Sequence, residues 1–209
     1  MLTLAIDCAT EACSVALFDD DKLIIGDFRI LGRGHAEELV PMIAALPDRG
    51  QAQRIAVAMG PGSFTGVRVG LAAARALAFA WQAELVGYPT LALVAAMAQA
   101  RGAEHVTVCM TGGHGEWFVQ DFDPGVRSAT GLASLSPQQA VKQGCYAHVA
   151  GSKAMELANN ASQTGALFVP FNLLPDARAF SLLPAHTLTS QVAPLYGRAP
   201  DARLPASNS

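Results

Sequence analysis

The chain has 209 residues, about half of them apolar and 15% charged, with a formal net charge of −3. That length suits one large domain or two small ones with a substantial core. Residues 1–50 carry nine acids against four bases and the remainder eight against ten, which excludes the basic footprint of a protein that grips nucleic acid unaided.

Leu2–Asp7 is a short apolar run ending in an acid and predicts a first strand; no basic n-region or cleavage pattern marks a signal peptide. Cys13–Phe18 predicts a second strand and Leu23–Phe28 a third, with Asp19–Asp21 as the hairpin turn between them. From His35 to Leu46, Ala36, Leu39, Val40 and Ile43 recur at helical spacing, with Pro41 expected to kink the helix or delay its start. Arg54–Met59 predicts a strand that runs through Gly60–Gly66 into a long helix ending near Trp81. Arg68 and Arg75 interrupt that helix, so no stretch reaches the roughly 18 uncharged residues of a membrane span. Glu84–Gly87 predicts a strand, and Thr90 an N-cap for a helix reaching Ala100.

The plan then begins again. Val106–Met110, Glu116–Phe122 and roughly 126–132 predict three strands, and Ser136-Pro137 starts a helix. Tyr146–Ala150 predicts a strand, Lys153–Ala158 a short helix, and Asp176 caps a helix to Leu183, with a frayed tail from Ala199. Two copies of a βββαβα plan, the second degraded, point to a two-lobed actin-like (ASKHA) α/β fold, with lobes at 1–101 and 102–209.

The segment Gly60-Pro-Gly-Ser-Phe-Thr-Gly66 has the strand–turn–helix setting of a phosphate cradle. Its glycine spacings of six and four, followed by Val67-Arg68, fail the P-loop pattern, and Thr65 stands where a dinucleotide fingerprint needs its third glycine. Gly62, Ser63, Thr65 and Gly66, with Asp7, Thr10 and Ser14 in the first hairpin, are therefore vestigial nucleotide-loop candidates. The helix beyond carries Gly66, Gly70, Ala73, Ala74 and Ala78 at spacings of three and four. Small residues let another helix approach closely, so Gly70, Ala73 and Ala74 are docking candidates, with Leu39, Ile43 and Leu46 from the preceding helix. Arg68 and Arg75 are expected at the rim of that interface. The four cysteines lack CxxC spacing and read as buried thiols of a cytoplasmic chain, and the five histidines form no HxxxH or HExxH pair, so no metal or cofactor is expected.

Leu4-Ala-Ile-Asp7-Cys-Ala-Thr10-Glu-Ala-Cys-Ser14, His35-Ala-Glu-Glu-Leu39, Gly60–Gly70 and Pro194-Leu-Tyr-Gly-Arg198 together resemble the TsaB (YeaZ) family. The resemblance implies a non-catalytic scaffold subunit for N6-threonylcarbamoyladenosine formation on tRNA. It implies pairing with the catalytic paralogue TsaD through the two helices at 35–46 and 65–81, with the ATPase TsaE as a further partner. It brings tRNA to the chain only through the complex. An apolar docking face without its partner leaves a homodimer as the expectation for the isolated chain. Met110–Glu116 departs from the family's Ile-Asp-Ala-Arg-like segment while keeping Gly-Glu-aromatic at Gly115-Glu116-Trp117. From the residues alone, an ASKHA-type ATPase or small-molecule kinase and, further off, a metallopeptidase stay open.

Overall fold

A computed structural model describes residues 1–162 and 167–197; Arg198 and the tail from Ala199 lie outside the described residues. Strands β1 (Leu2–Asp7), β2 (Ala12–Asp19) and β3 (Lys22–Ile30) form an antiparallel meander. Strands β4 (Arg54–Ala58) and β5 (Glu84–Tyr88) extend it in parallel, giving the order β3-β2-β1-β4-β5. β1 and β2 are buried along nearly their whole length, which is why they read as continuous apolar runs.

The second sheet repeats this order with β6 (Val106–Thr111), β7 (Trp117–Asp123), β8 (Arg127–Ser128), β10 (His148–Ala150) and β11 (Val169–Phe171), as β11-β10-β6-β7-β8. The single strand expected at 126–132 is instead two pieces, β8 and β9 (Ala133–Leu135), both paired with β7. Gly125 and Val126, at φ 73° and 58°, form a left-handed turn that ends any extended run there.

Helices α1 (His35–Ala44) and α2 (Phe64–Trp81) pack together against the first sheet. α1 starts at His35 and runs through Pro41 without interruption. Helix α3 (Thr90–Gln99) is apolar all round, with eight of its ten residues buried, and packs against β6, β7 and β10 of the second sheet. Thr90 is not its N-cap: Pro89 holds that position, and the Thr90 N–H donates to the Gly60 carbonyl at 2.8 Å. Helix α4 (Pro137–Gln143) starts on a capping box between Ser136 and Gln139, and α5 is Ala154–Ser162.

Asp176 caps a 3-10 turn, Ala177–Leu182, rather than an α-helix. Phe180 in this turn meets Phe18 and Tyr88, each at 5.8 Å between ring centroids, and the Ala177 N–H donates to Ser14 Oγ at 2.9 Å. A lobe limit at 101/102 assigns this segment to the second lobe, yet it packs on the first sheet and α3. One large apolar cluster fills the first sheet, its helices and the joint with β6, and a small one lies under α4 and α5. Among the described residues, no helix is long and apolar enough to cross a membrane.

Candidate functional site

The turn between β1 and β2 and the glycine loop before α2 meet edge on. Asp7 ends β1 fully buried; its Oδ1 accepts the Ala9 N–H at 2.9 Å, and Tyr88 Oη lies 3.4 Å from its Oδ2 while donating to the Ile6 carbonyl at 3.0 Å. Burial pushes the Asp7 carboxyl up to about 7, against the smaller opposing effect of its hydrogen bonds from Ala9 and Tyr88. Thr10 Oγ1 accepts the Ala12 N–H, closing the turn on itself. His35 Nε2 lies 2.8 Å from the Thr10 carbonyl and 3.3 Å from that of Ala12; carbonyls only accept, so this nitrogen carries the proton and pins the turn to the start of α1.

Gly62 and Gly66 serve this contact. A Cβ on Gly62 would stand 1.9 Å from the Ala9 carbonyl oxygen, and one on Gly66 would stand 2.1 Å from that of Cys8. The Ser63 N–H donates to the Ala9 carbonyl at 2.7 Å, and Ser63 Oγ caps α2 by accepting the Gly66 N–H at 3.2 Å. Two of the N–H groups that a phosphate cradle would offer thus have partners within the chain. Asp7 and Ser14 are buried beneath the turn, Thr65 is exposed, and Thr10, Gly62 and Ser63 face open space.

That space is a cleft of about 680 Å³ between the two sheets. Its far wall is the divergent segment Met110–His114 with Phe118 and Ser152, and its mouth is closed by Pro194–Gly197. There the Arg68 guanidinium lies 3.2 Å over the Phe64 ring and donates to Tyr196 Oη at 2.7 Å. Arg75 donates to the Val192 carbonyl at 2.7 Å, and the Leu195 N–H to the Met59 carbonyl at 2.8 Å.

Most of the docking candidates have contacts within the chain. Leu39, Ile43, Leu46, Gly70 and Ala74 are buried against the first sheet; Leu39 and Ala74 are 0% exposed, so a partner cannot reach them without unfolding the helices. Gly70 faces Cys8 and Val57, and a Cβ there would meet them at 3.5–3.8 Å, ordinary contact distances. Ala73 is half-buried. Arg68 and Arg75 hold the chain's own C-terminal segment instead of standing free at a rim. The outward faces of α1 and α2 present other residues: Val40 is 62% and Phe79 88% exposed, with Ala36, Ala44, Ala72, Ala76 and Ala80 also exposed. Helical spacing grouped Val40 with the buried Leu39 and Ile43, and only the position of the sheet separates them.

The family model described as TsaD, tRNA N6-adenosine threonylcarbamoyltransferase, matches residues 29–191. The tRNA threonylcarbamoyladenosine biosynthesis protein TsaB of Escherichia coli is 36% identical over 128 residues, 58% of this chain and 55% of that protein. The TsaB protein of Haemophilus influenzae is 38% identical over 161 residues, 67% and 66% of the two chains. The matched region thus spans between about half and two thirds of the length of these relatives. The structure of YeaZ from Pseudomonas aeruginosa superposes at a TM-score of 0.74 and 28% identity, covering 93% of this chain and 99% of that one. The ethanolamine utilization protein EutJ from Carboxydothermus hydrogenoformans superposes at a TM-score of 0.53 and 12% identity, covering 88% of this chain and 90% of that one, and so shares the fold. With a duplicated sheet order and relatives of this name, the chain belongs to the TsaB (YeaZ) family.

Proposed function

We propose that the chain is a non-catalytic subunit that pairs with a TsaD-type threonylcarbamoyltransferase and supports N6-threonylcarbamoyladenosine formation on tRNA. The observation that carries this reading is the pair of touching helices α1 and α2, whose outward faces are apolar at Val40 and Phe79. The glycine loop supports it from the other side. Its Ser63 and Gly66 N–H groups are satisfied within the chain, and the Ala9 carbonyl points into the place where a phosphate would bring negative charge. The chain then acts by holding its partner in a competent form, with tRNA and a TsaE-type ATPase reached through the complex.

Co-expression with the catalytic paralogue tests the pairing. Val40→Asp combined with Phe79→Asp should abolish co-purification, because a charge at the centre of an apolar contact is left without water or a partner. Circular dichroism of the variant should match the parent, since both positions are exposed. Undiminished co-purification overturns the reading. In isolation the same face supports a homodimer, which the double variant should reduce to monomer in light scattering.

A further inference from the structure

The β1–β2 register pairs Asp7 with Ser14. Continued by one step, it sets Cys8 opposite Cys13 across the turn. The two sulfurs lie 3.4 Å apart, and both side chains are buried. A disulfide holds its sulfurs at about 2.05 Å, and directly opposed strand positions have the Cα separation it needs. Closure therefore asks for little more than an ångström of approach.

We propose that Cys8 and Cys13 are a reversible dithiol–disulfide pair, a modification site under the floor of the cleft that reacts with a two-electron oxidant of the hydroperoxide class. The Cys13 thiolate attacks one peroxide oxygen; the O–O bond breaks and the departing hydroxide takes up a proton as water. Cys8 sulfur then attacks the sulfenic sulfur of Cys13. The S–O bond breaks, the S–S bond forms, and the hydroxyl leaves with the Cys8 proton as a second water. Two thiols and one hydroperoxide thus give one disulfide and two waters when the oxidant is hydrogen peroxide, and a dithiol reductant returns the two electrons.

The polarity of the pair suits these roles. The contact between the two thiols pulls Cys13 below the usual cysteine value against the opposing effect of burial, and pushes Cys8 well above it. Burial pushes Cys109 and Cys145 up, the latter to about 11, which leaves both protonated and slow. Both sulfurs are buried, and the turn between them, Ala9, Thr10 and Glu11, lines the cleft, so the oxidant reaches them when this turn opens. The turn also carries the Cys8 and Ala9 carbonyls that meet Gly66 and Ser63, so closure tightens the seat of α2.

The test treats the folded full chain with hydrogen peroxide, blocks remaining thiols with N-ethylmaleimide in denaturant, and cleaves with trypsin. Lys22 is the first Lys or Arg, so Met1–Lys22 holds both cysteines. That peptide should be unalkylated and about 2 Da lighter than its reduced form, reverting with dithiothreitol. Cys109 and Cys145 should remain alkylated. The Cys8→Ser variant should instead accumulate a sulfenic acid at Cys13, trapped by dimedone. Oxidation in guanidinium should lose the selectivity for this pair. Two alkylated cysteines in Met1–Lys22, a sulfinic acid at Cys13 beside a free Cys8, no dimedone adduct in the variant, or equal selectivity in the denatured chain would each overturn the assignment.

Discussion

The two sheets share one strand order but differ in depth. β1 and β2, at six and eight residues, are matched by β6 and β7 at six and seven, but β4 and β5, at five residues each, are answered by β10 and β11 at only three. β1 ends in a buried Asp7 and a turn packed on the glycine loop; β6 ends in an exposed Thr111 followed by Gly112-Gly113. Duplication fixes a plan and burial decides which copy keeps its constraints. The first copy is a tightly packed platform for α1 and α2, and the second survives mainly as the far wall of a cleft.

The sharpest contrast lies in the glycines. Gly66→Ala drives a Cβ against the Cys8 carbonyl and should cost more than about 4 kcal/mol, with loss of soluble protein. Gly113→Ala meets nothing within 4 Å and should leave the denaturation midpoint nearly unchanged. Similar losses at the two positions would erase the distinction between the copies. Next in size are two buried leucines. Leu39→Ala, in the large cluster, should cost about 4 kcal/mol by urea titration, and Leu157→Ala, in the small one where neighbours can collapse, about 2.

The largest pH effect should come from the buried Asp7 of the first copy. Asp7 is raised from 3.8 to about 7 on folding, so between those values the folded state binds more protons than the unfolded one. Its contribution is fully present below about pH 4 and is lost as pH rises toward 7, at up to about 1.4 kcal/mol per unit. Asp7→Asn should remove that slope from stability profiles; a slope kept in the variant would place its source elsewhere. A smaller loss is expected beside the C-terminal segment, where Arg75→Ala should cost about 1 kcal/mol by urea titration through its hydrogen bond to Val192.

Much of the first sheet was legible because its determinants are local. The run Leu2–Asp7, the acidic turn at Asp19–Asp21 and the glycine loop each carry their own signal within a few residues. The candidate site was legible in part: helical spacing marked the apolar residues of both helices but not which of them the sheet would bury. Periodicity finds an apolar stripe but does not say where the sheet lies, so Leu39 and Val40 looked alike until one was buried and the other exposed. Arg68 and Arg75 looked free because their partners, Tyr196 and Val192, are more than a hundred residues away. Ser14 holding Ala177 is hidden for the same reason. The division of the third strand into β8 and β9 depends on β7 pairing with both, which no local pattern encodes.

The segment Val192–Gly197 sets how the cleft moves. It is tied to α2 through Arg75 and Arg68, to the end of β4 through Leu195, and lies on the Phe118 ring of the second sheet at Gly197, where a Cβ would come within 2.4 Å. A cleft joined at its back alone opens like a book, on one hinge. This one is also stitched along its mouth, so the sheets cannot swing apart until Gly197 lifts from Phe118 or Leu195 lets go of Met59. Widening the cleft would thus mean breaking hydrogen bonds to α2 and to the end of β4, and lifting backbone from an aromatic ring, besides moving the sheets.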